Sequence, residues 1–159
     1  MKKLLLIRHA KATHETGYAD FERPLTDAGF KQAEVMASRL QANNIQPQIL
    51  VASPALRTLS TANVFSQVLA LEPAITDRAI YDAAESELLK VINNLPDEED
   101  FIALVGHNPA ISQVLYTLSG EAKDVPPCSV ALIEFEADSW AELHEGRGKL
   151  TYFSTPKEG

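Results

Sequence analysis

Arg8 and His9 follow directly on the apolar run Leu4-Leu5-Leu6-Ile7, Ser53-Pro54-Ala55-Leu56-Arg57 closes a second run that begins at Ile49, and Gly106-His107-Asn108-Pro109 closes another that begins at Phe101. Two arginines and two histidines thus stand where apolar segments end. This combination suits phosphoryl chemistry. Arginine offers planar paired donors that match the oxygens of a tetrahedral phosphoryl group. A neutral imidazole keeps a ring lone pair at physiological pH, so it attacks phosphorus and forms a covalent intermediate without a metal. The sequence has no GxxxxGK[ST] loop and no His, Cys and carboxylate cluster at metal spacing, so neither a cofactor nor a metal is expected.

These residues must be held by the elements that precede them. Positions 3–8, 49–53 and 101–106 are short, nearly continuous apolar runs, as in strands of a parallel sheet covered on both faces. Helical spacing separates them: Phe30, Ala33, Met36 and Leu40; Leu59, Ala62, Phe65 and Leu69; Leu88, Val91, Ile92 and Leu95; Ile111, Val114, Leu115 and Leu118. After Gly120 the pattern changes to two strands, 129–137 and 149–154, joined by a loop with Gly146 and Gly148. The alternation predicts an α/β fold, a three-layer α/β/α sandwich with a mostly parallel central sheet and an antiparallel C-terminal strand pair. Length and the absence of repeats or a dividing linker predict a single domain spanning 1–159.

In such sheets ligands bind at the carboxyl ends of the strands, where Arg8, His9, Arg57 and His107 lie. Ser53-Pro54 and Asn108-Pro109 each read as a helix cap followed by proline at the first helical position, and such helix ends favour anions. Two aperiodic polar segments, 9–25 and 119–128, are expected to border the site. His14 and His144 fit no pattern and are expected to be ordinary exposed histidines. Cys128, the one cysteine, is expected to pack as a small apolar residue rather than react.

The net charge of −8 argues against nucleic acid and anionic membrane as partners. The apolar run at 4–7 is too short for a signal-peptide core or a membrane span, and with the single cysteine it points to a cytoplasmic protein.

Taken together, the motifs resemble those of the histidine phosphatase superfamily. Arg8-His9-Ala10 is similar to its RHG signature, Ser53-Pro54-Ala55-Leu56-Arg57 with Thr61 to its SPxxRxxxT segment, and Val105-Gly106-His107-Asn108-Pro109 to its second histidine motif. Arg23-Pro24-Leu25-Thr26-Asp27-Ala28-Gly29 and Trp140-Ala141-Glu142-Leu143, with Gly146 and Gly148, resemble the short SixA-type phosphohistidine phosphatase branch, as does Ala10 in place of glycine.

The resemblance implies a phosphoglycerate mutase-like fold and a hydrolase in which His9 is transiently phosphorylated while Arg8, Arg57 and His107 hold the phosphoryl oxygens. Larger members place an acidic proton donor after the third strand, and its nearest counterpart is Asp82, which equally suits a cap for the helix near Glu85. The expected substrate is a phosphorylated protein, a histidine-phosphorylated signalling protein among the candidates, or a small phosphorylated metabolite. A noncatalytic phosphoprotein-binding domain would use the same pocket.

Overall fold

The computed structural model describes residues 1–157; positions 158 and 159 of the predicted 1–159 unit lie outside the described residues. Six strands form one sheet in the order β3-β2-β4-β1-β5-β6. These are β1 (Lys2–Arg8), β2 (Ile49–Ala52), β3 (Ile75–Thr76), β4 (Phe101–Gly106), β5 (Val130–Phe135) and β6 (Gly148–Ser154). β1, β2, β3 and β4 run parallel, whereas β5 pairs antiparallel with β1 and β6 with β5.

Leu4, Leu5, Leu6 and Ile7 are all buried because the sheet is covered on both sides. Alternate residues serve opposite cores: Leu4 and Leu6 pack with Ile111, Val114 and Leu88, while Leu5 and Ile7 pack with Met36, Leu40 and Phe65. Helices α1 (Asp27–Ala42) and α2 (Leu56–Val68) therefore cover one face, and α3 (Glu85–Asn93) and α4 (Ala110–Ser119) the other. This is the three-layer, mostly parallel architecture that the alternation predicts. No described helix is long and apolar enough to cross a membrane.

The differences from the predicted elements are local. Phe30 is exposed, and the inward face of α1 is carried by Gly29, Ala33, Met36, Ala37 and Leu40. Strand β5 ends at Phe135, not at position 137, and the loop to β6 holds a 3-10 turn, Trp140–Glu142. Ser53 does not cap α2 directly, since the helix starts at Leu56. Its hydroxyl accepts from the Ala55 N–H at 3.2 Å and its carbonyl from the Thr58 hydroxyl at 2.8 Å, which closes the turn that delivers Arg57. Pro109 holds the N-cap position of α4, not its first helical position, and Asn108 stands one residue before it, from where its side-chain oxygen accepts from the Ser112 N–H at 3.1 Å.

Candidate active site

Strand register brings the two histidines together. Arg8 pairs with Gly106 in the parallel β1–β4 ladder, so the next residues, His9 and His107, leave the sheet side by side with ring centroids 5.4 Å apart. Ala52 pairs with Val105, so Ser53 follows opposite Gly106, one residue short of His107, and its hydroxyl shares a 2.8 Å hydrogen bond with His107 Nε2. Arg57 enters from the first turn of α2 and is buried. Arg8, His9, Arg57 and His107 line one pocket of about 190 Å3, together with Lys11, Ala12, His14, Arg23, Asn108 and Pro127. A larger groove of about 550 Å3 lies between β3 and α3, but no histidine or arginine lines it.

His9 is fixed by its neighbours. Its Nδ1 lies 2.8 Å from the Ala10 carbonyl, which only accepts, so Nδ1 carries the proton and Nε2 keeps the lone pair. The Ala10 N–H donates to Thr61 Oγ1, whose hydroxyl donates to the Arg57 carbonyl, coupling the strand end to α2. On the other side the Cys128 N–H is shared between the carbonyls of Arg8 and His9. Cys128 adopts φ 63°, and burial pushes its thiol up to about 12, so its backbone is what serves the site. Burial, together with the charges of Arg57, Arg8 and Arg23, pushes His9 down to about 4 in spite of the Ala10 bond. Burial and the charge of Arg57 push His107 down to about 3. Both rings are neutral at physiological pH.

Both aperiodic segments border the pocket. Val125, in the second, accepts from Arg8 at 2.9 Å and from Asn108 at 3.1 Å. The first supplies Lys11, His14 and Arg23, and also Asp20, which the sequence reading missed. Arg57 donates to the Asp20 carbonyl at 2.6 Å and to its carboxylate at 3.1 Å, and Arg23 and the Tyr81 hydroxyl bind the same carboxylate. The Tyr81 hydrogen bond, then those of Arg57 and Arg23, hold Asp20 down at about 2. Tyr81 also stands edge-on to His107 and Phe21, so the segment is clasped over the pocket from the α3 side. The clue in the sequence was the acidic Asp20 between His9 and Arg23 in a segment without periodicity.

Asp82 is not brought into this group. It is exposed, takes φ 54°, and does not line the pocket; nor does it cap α3, whose N-cap is Ala84. His14 is exposed as expected but sits on the pocket rim, and His144 lies elsewhere, 3.3 Å from Arg147.

A sequence model of the histidine phosphatase superfamily (branch 1) matches residues 4–80. An uncharacterised protein of Mycobacterium tuberculosis is 28% identical over 162 residues, covering 95% of this chain and 100% of its own. A crystal structure assigned as a phosphohistidine phosphatase SixA of Agrobacterium tumefaciens superposes with a TM-score of 0.84 at 26% identity, covering 98% of each chain. The protein histidine phosphatase SixA in complex with tungstate shares the fold, with a TM-score of 0.83 at 19% identity over 97% of each chain. These matches support the histidine phosphatase superfamily for this chain. Within it the chain is SixA-like, and the likeness runs over nearly its whole length.

Proposed function

We propose that this chain is a phosphatase that transfers a phosphoryl group to His9 and then to water, with phosphohistidine as its preferred substrate group. Its superfamily and its structural neighbours support a phosphatase. The observation that carries the mechanism concerns buried nitrogens without partners. Arg8 Nε, Arg57 Nε and His107 Nδ1 are, among the described residues, the buried side-chain polar atoms with no hydrogen bond, and all three residues line the pocket that holds His9. Buried donors left unpaired are costly, so an oxyanion that accepts from them is stabilised.

In the first step His9 Nε2 attacks phosphorus in line with the leaving group. The N–P bond forms, the bond to the leaving group breaks, and the departing atom keeps its electron pair. Arg8 and Arg57 neutralise the phosphoryl oxygens. When the Ser53 hydroxyl donates to His107 Nε2, the His107 proton sits on Nδ1, which makes that nitrogen a donor to the same oxygens. In the second step water attacks phosphorus, the P–Nε2 bond breaks with its pair returning to nitrogen, and the proton of the water passes to solvent.

An alkyl phosphate would expel an alkoxide, which needs a strong proton donor. Phosphohistidine leaves as a neutral imidazole once its other nitrogen is protonated. With Asp82 outside the pocket and Asp20 held ionised, the site suits the second kind of substrate. Rapid quench followed by mass spectrometry should find an acid-labile, base-stable phosphoryl group on His9. The folded His9→Ala protein should lose at least about a thousandfold in rate. Label on another residue, or loss of less than about tenfold in that variant, overturns the mechanism.

A further inference from the structure

Four fixed cations line the pocket, and three have counter-charges of their own. Arg57 and Arg23 are each paired with Asp20 at 3.1 Å, and Arg8 is bound to the Val125 carbonyl with Asp124 close enough to act on it. Lys11 differs: among the described residues its ammonium group makes no hydrogen bond and no ion pair, although it lines the same pocket. An exposed lysine without a partner is ordinary. Its backbone is not.

The Lys11 N–H donates to Gln32 Oε1 at 3.0 Å, and its carbonyl accepts from the Thr26 N–H at 3.0 Å. Ala12 bridges to Leu25, and Gly29 lies so close that a Cβ there would stand 2.1 Å from the Lys11 carbonyl oxygen. The start of α1 therefore grips the chain at residue 11 from several directions and leaves only the side chain loose, two residues beyond His9.

Resting on the phosphatase reading above, we propose that Lys11 forms a second anion subsite at the pocket mouth, recognising a carboxylate or phosphate that the substrate carries beside the transferred phosphoryl group. The arginines, compensated from within, hold the phosphoryl group. Lys11, uncompensated, distinguishes what surrounds it. The segment Thr26 to Gly29 then acts as the frame that fixes Lys11 in place.

Two pairs of probes test this. One pair is a histidine-phosphorylated peptide with aspartate beside the phosphohistidine and its asparagine counterpart; the other is phosphoglycolate and ethyl phosphate. Within each pair the readout is the ratio of kcat/KM values, and of binding constants to the His9→Ala protein, which reads the preference without turnover. We expect the acidic member of at least one pair to be favoured about tenfold by the wild-type chain. Lys11→Gln should abolish that ratio through KM, and Lys11→Arg should keep most of it. A preference confined to the peptides identifies a protein substrate, and one confined to the small molecules a metabolite; either supports the subsite. Equal effects of Lys11→Gln on both members of each pair, or no preference in the wild-type chain, overturn it. Discrimination in binding without any turnover would instead remove the phosphatase reading and leave the subsite standing.

Discussion

The proposed attack by His9 needs a neutral ring, and its surroundings keep it neutral far below the range of a free imidazole. Burial and three nearby arginines push it down to about 4, against about 6.5 in an unfolded chain. The acidic limb of kcat/KM, which reports the free enzyme, should therefore fall near pH 4 once ionisation of the substrate is corrected for. An apparent pKa near 6.5 would show that the ring is not buried as described. The same shift affects stability. As pH falls from about 6.5 to about 4 the unfolded chain takes up a proton that folded His9 refuses, so stability is lost across that window. His107 adds to the loss, since it is pushed down to about 3. Thermal unfolding should show a falling midpoint over this range. At this scale Arg8, His9 and His107 were legible as candidates because they follow apolar runs, and Arg57 because it stands in the first turn of the helix after one, strand ends being where such sheets place their sites. Asp20 and Tyr81 were not, because their meeting depends on the path of an aperiodic segment. Asp82 was misleading for a related reason: its φ of 54° turns the chain there, and although aspartate adopts that region more readily than most residues, its type alone does not say which aspartate will.

Among the elements, the junction of α1 with the end of β1 carries the most consequence. Gly29 has no left-handed φ to explain it; its role is close approach, with the Lys11 carbonyl where a methyl group would be. Because that carbonyl is also held by Thr26, neither side can retreat without breaking a hydrogen bond. Gly29→Ala should cost about 1–3 kcal/mol, read from the shift of the urea midpoint, even though alanine is the better helix former. A variant as stable as wild type would mean that the helix start yields easily, which would also weaken the case for Lys11 as a framed contact. Helix faces were otherwise well read from spacing: the apolar residues that the pattern picked out for α3 and α4 are all buried, with Leu95 just past the end of α3. Phe30 failed because its position lies on the outer side of α1, while on the inner side Gly29 makes the close contact. Strand β3 went unpredicted, since two exposed residues at a sheet edge leave no period to detect.

Across the whole molecule the sheet separates chemistry from anchorage. The site occupies the carboxyl ends of β1 and β4, and the opposite end of β1 holds Lys2, which is 1% exposed. Its ammonium group donates to the Asp97 carbonyl at 2.9 Å, the Glu99 carbonyl at 3.4 Å and the Asp100 carboxylate at 2.9 Å, and it lies 5.6 Å from the centre of the Trp140 ring. The Asp100 side chain is 73% exposed, so removing the lysine leaves no buried charge stranded. What remains is the Asp97 carbonyl without its donor, while the Glu99 carbonyl still accepts from Trp140 Nε1 at 2.9 Å, beneath an apolar side chain of similar length if methionine replaces the lysine. Lys2→Met should therefore lower stability by about 1–3 kcal/mol. Because β1 is paired on both sides along its length, the register that sets His9 beside His107 should survive the change. Its kcat/KM with an aryl phosphate should stay within about twofold of wild type at a temperature where both proteins are folded, a difference of only about 0.4 kcal/mol in barrier. A large loss of activity without a matching loss of stability would mean that strain at one end of β1 reaches the other. The position of His9 would then depend on the whole strand rather than on the contacts of Ala10, Thr61 and Cys128 around it.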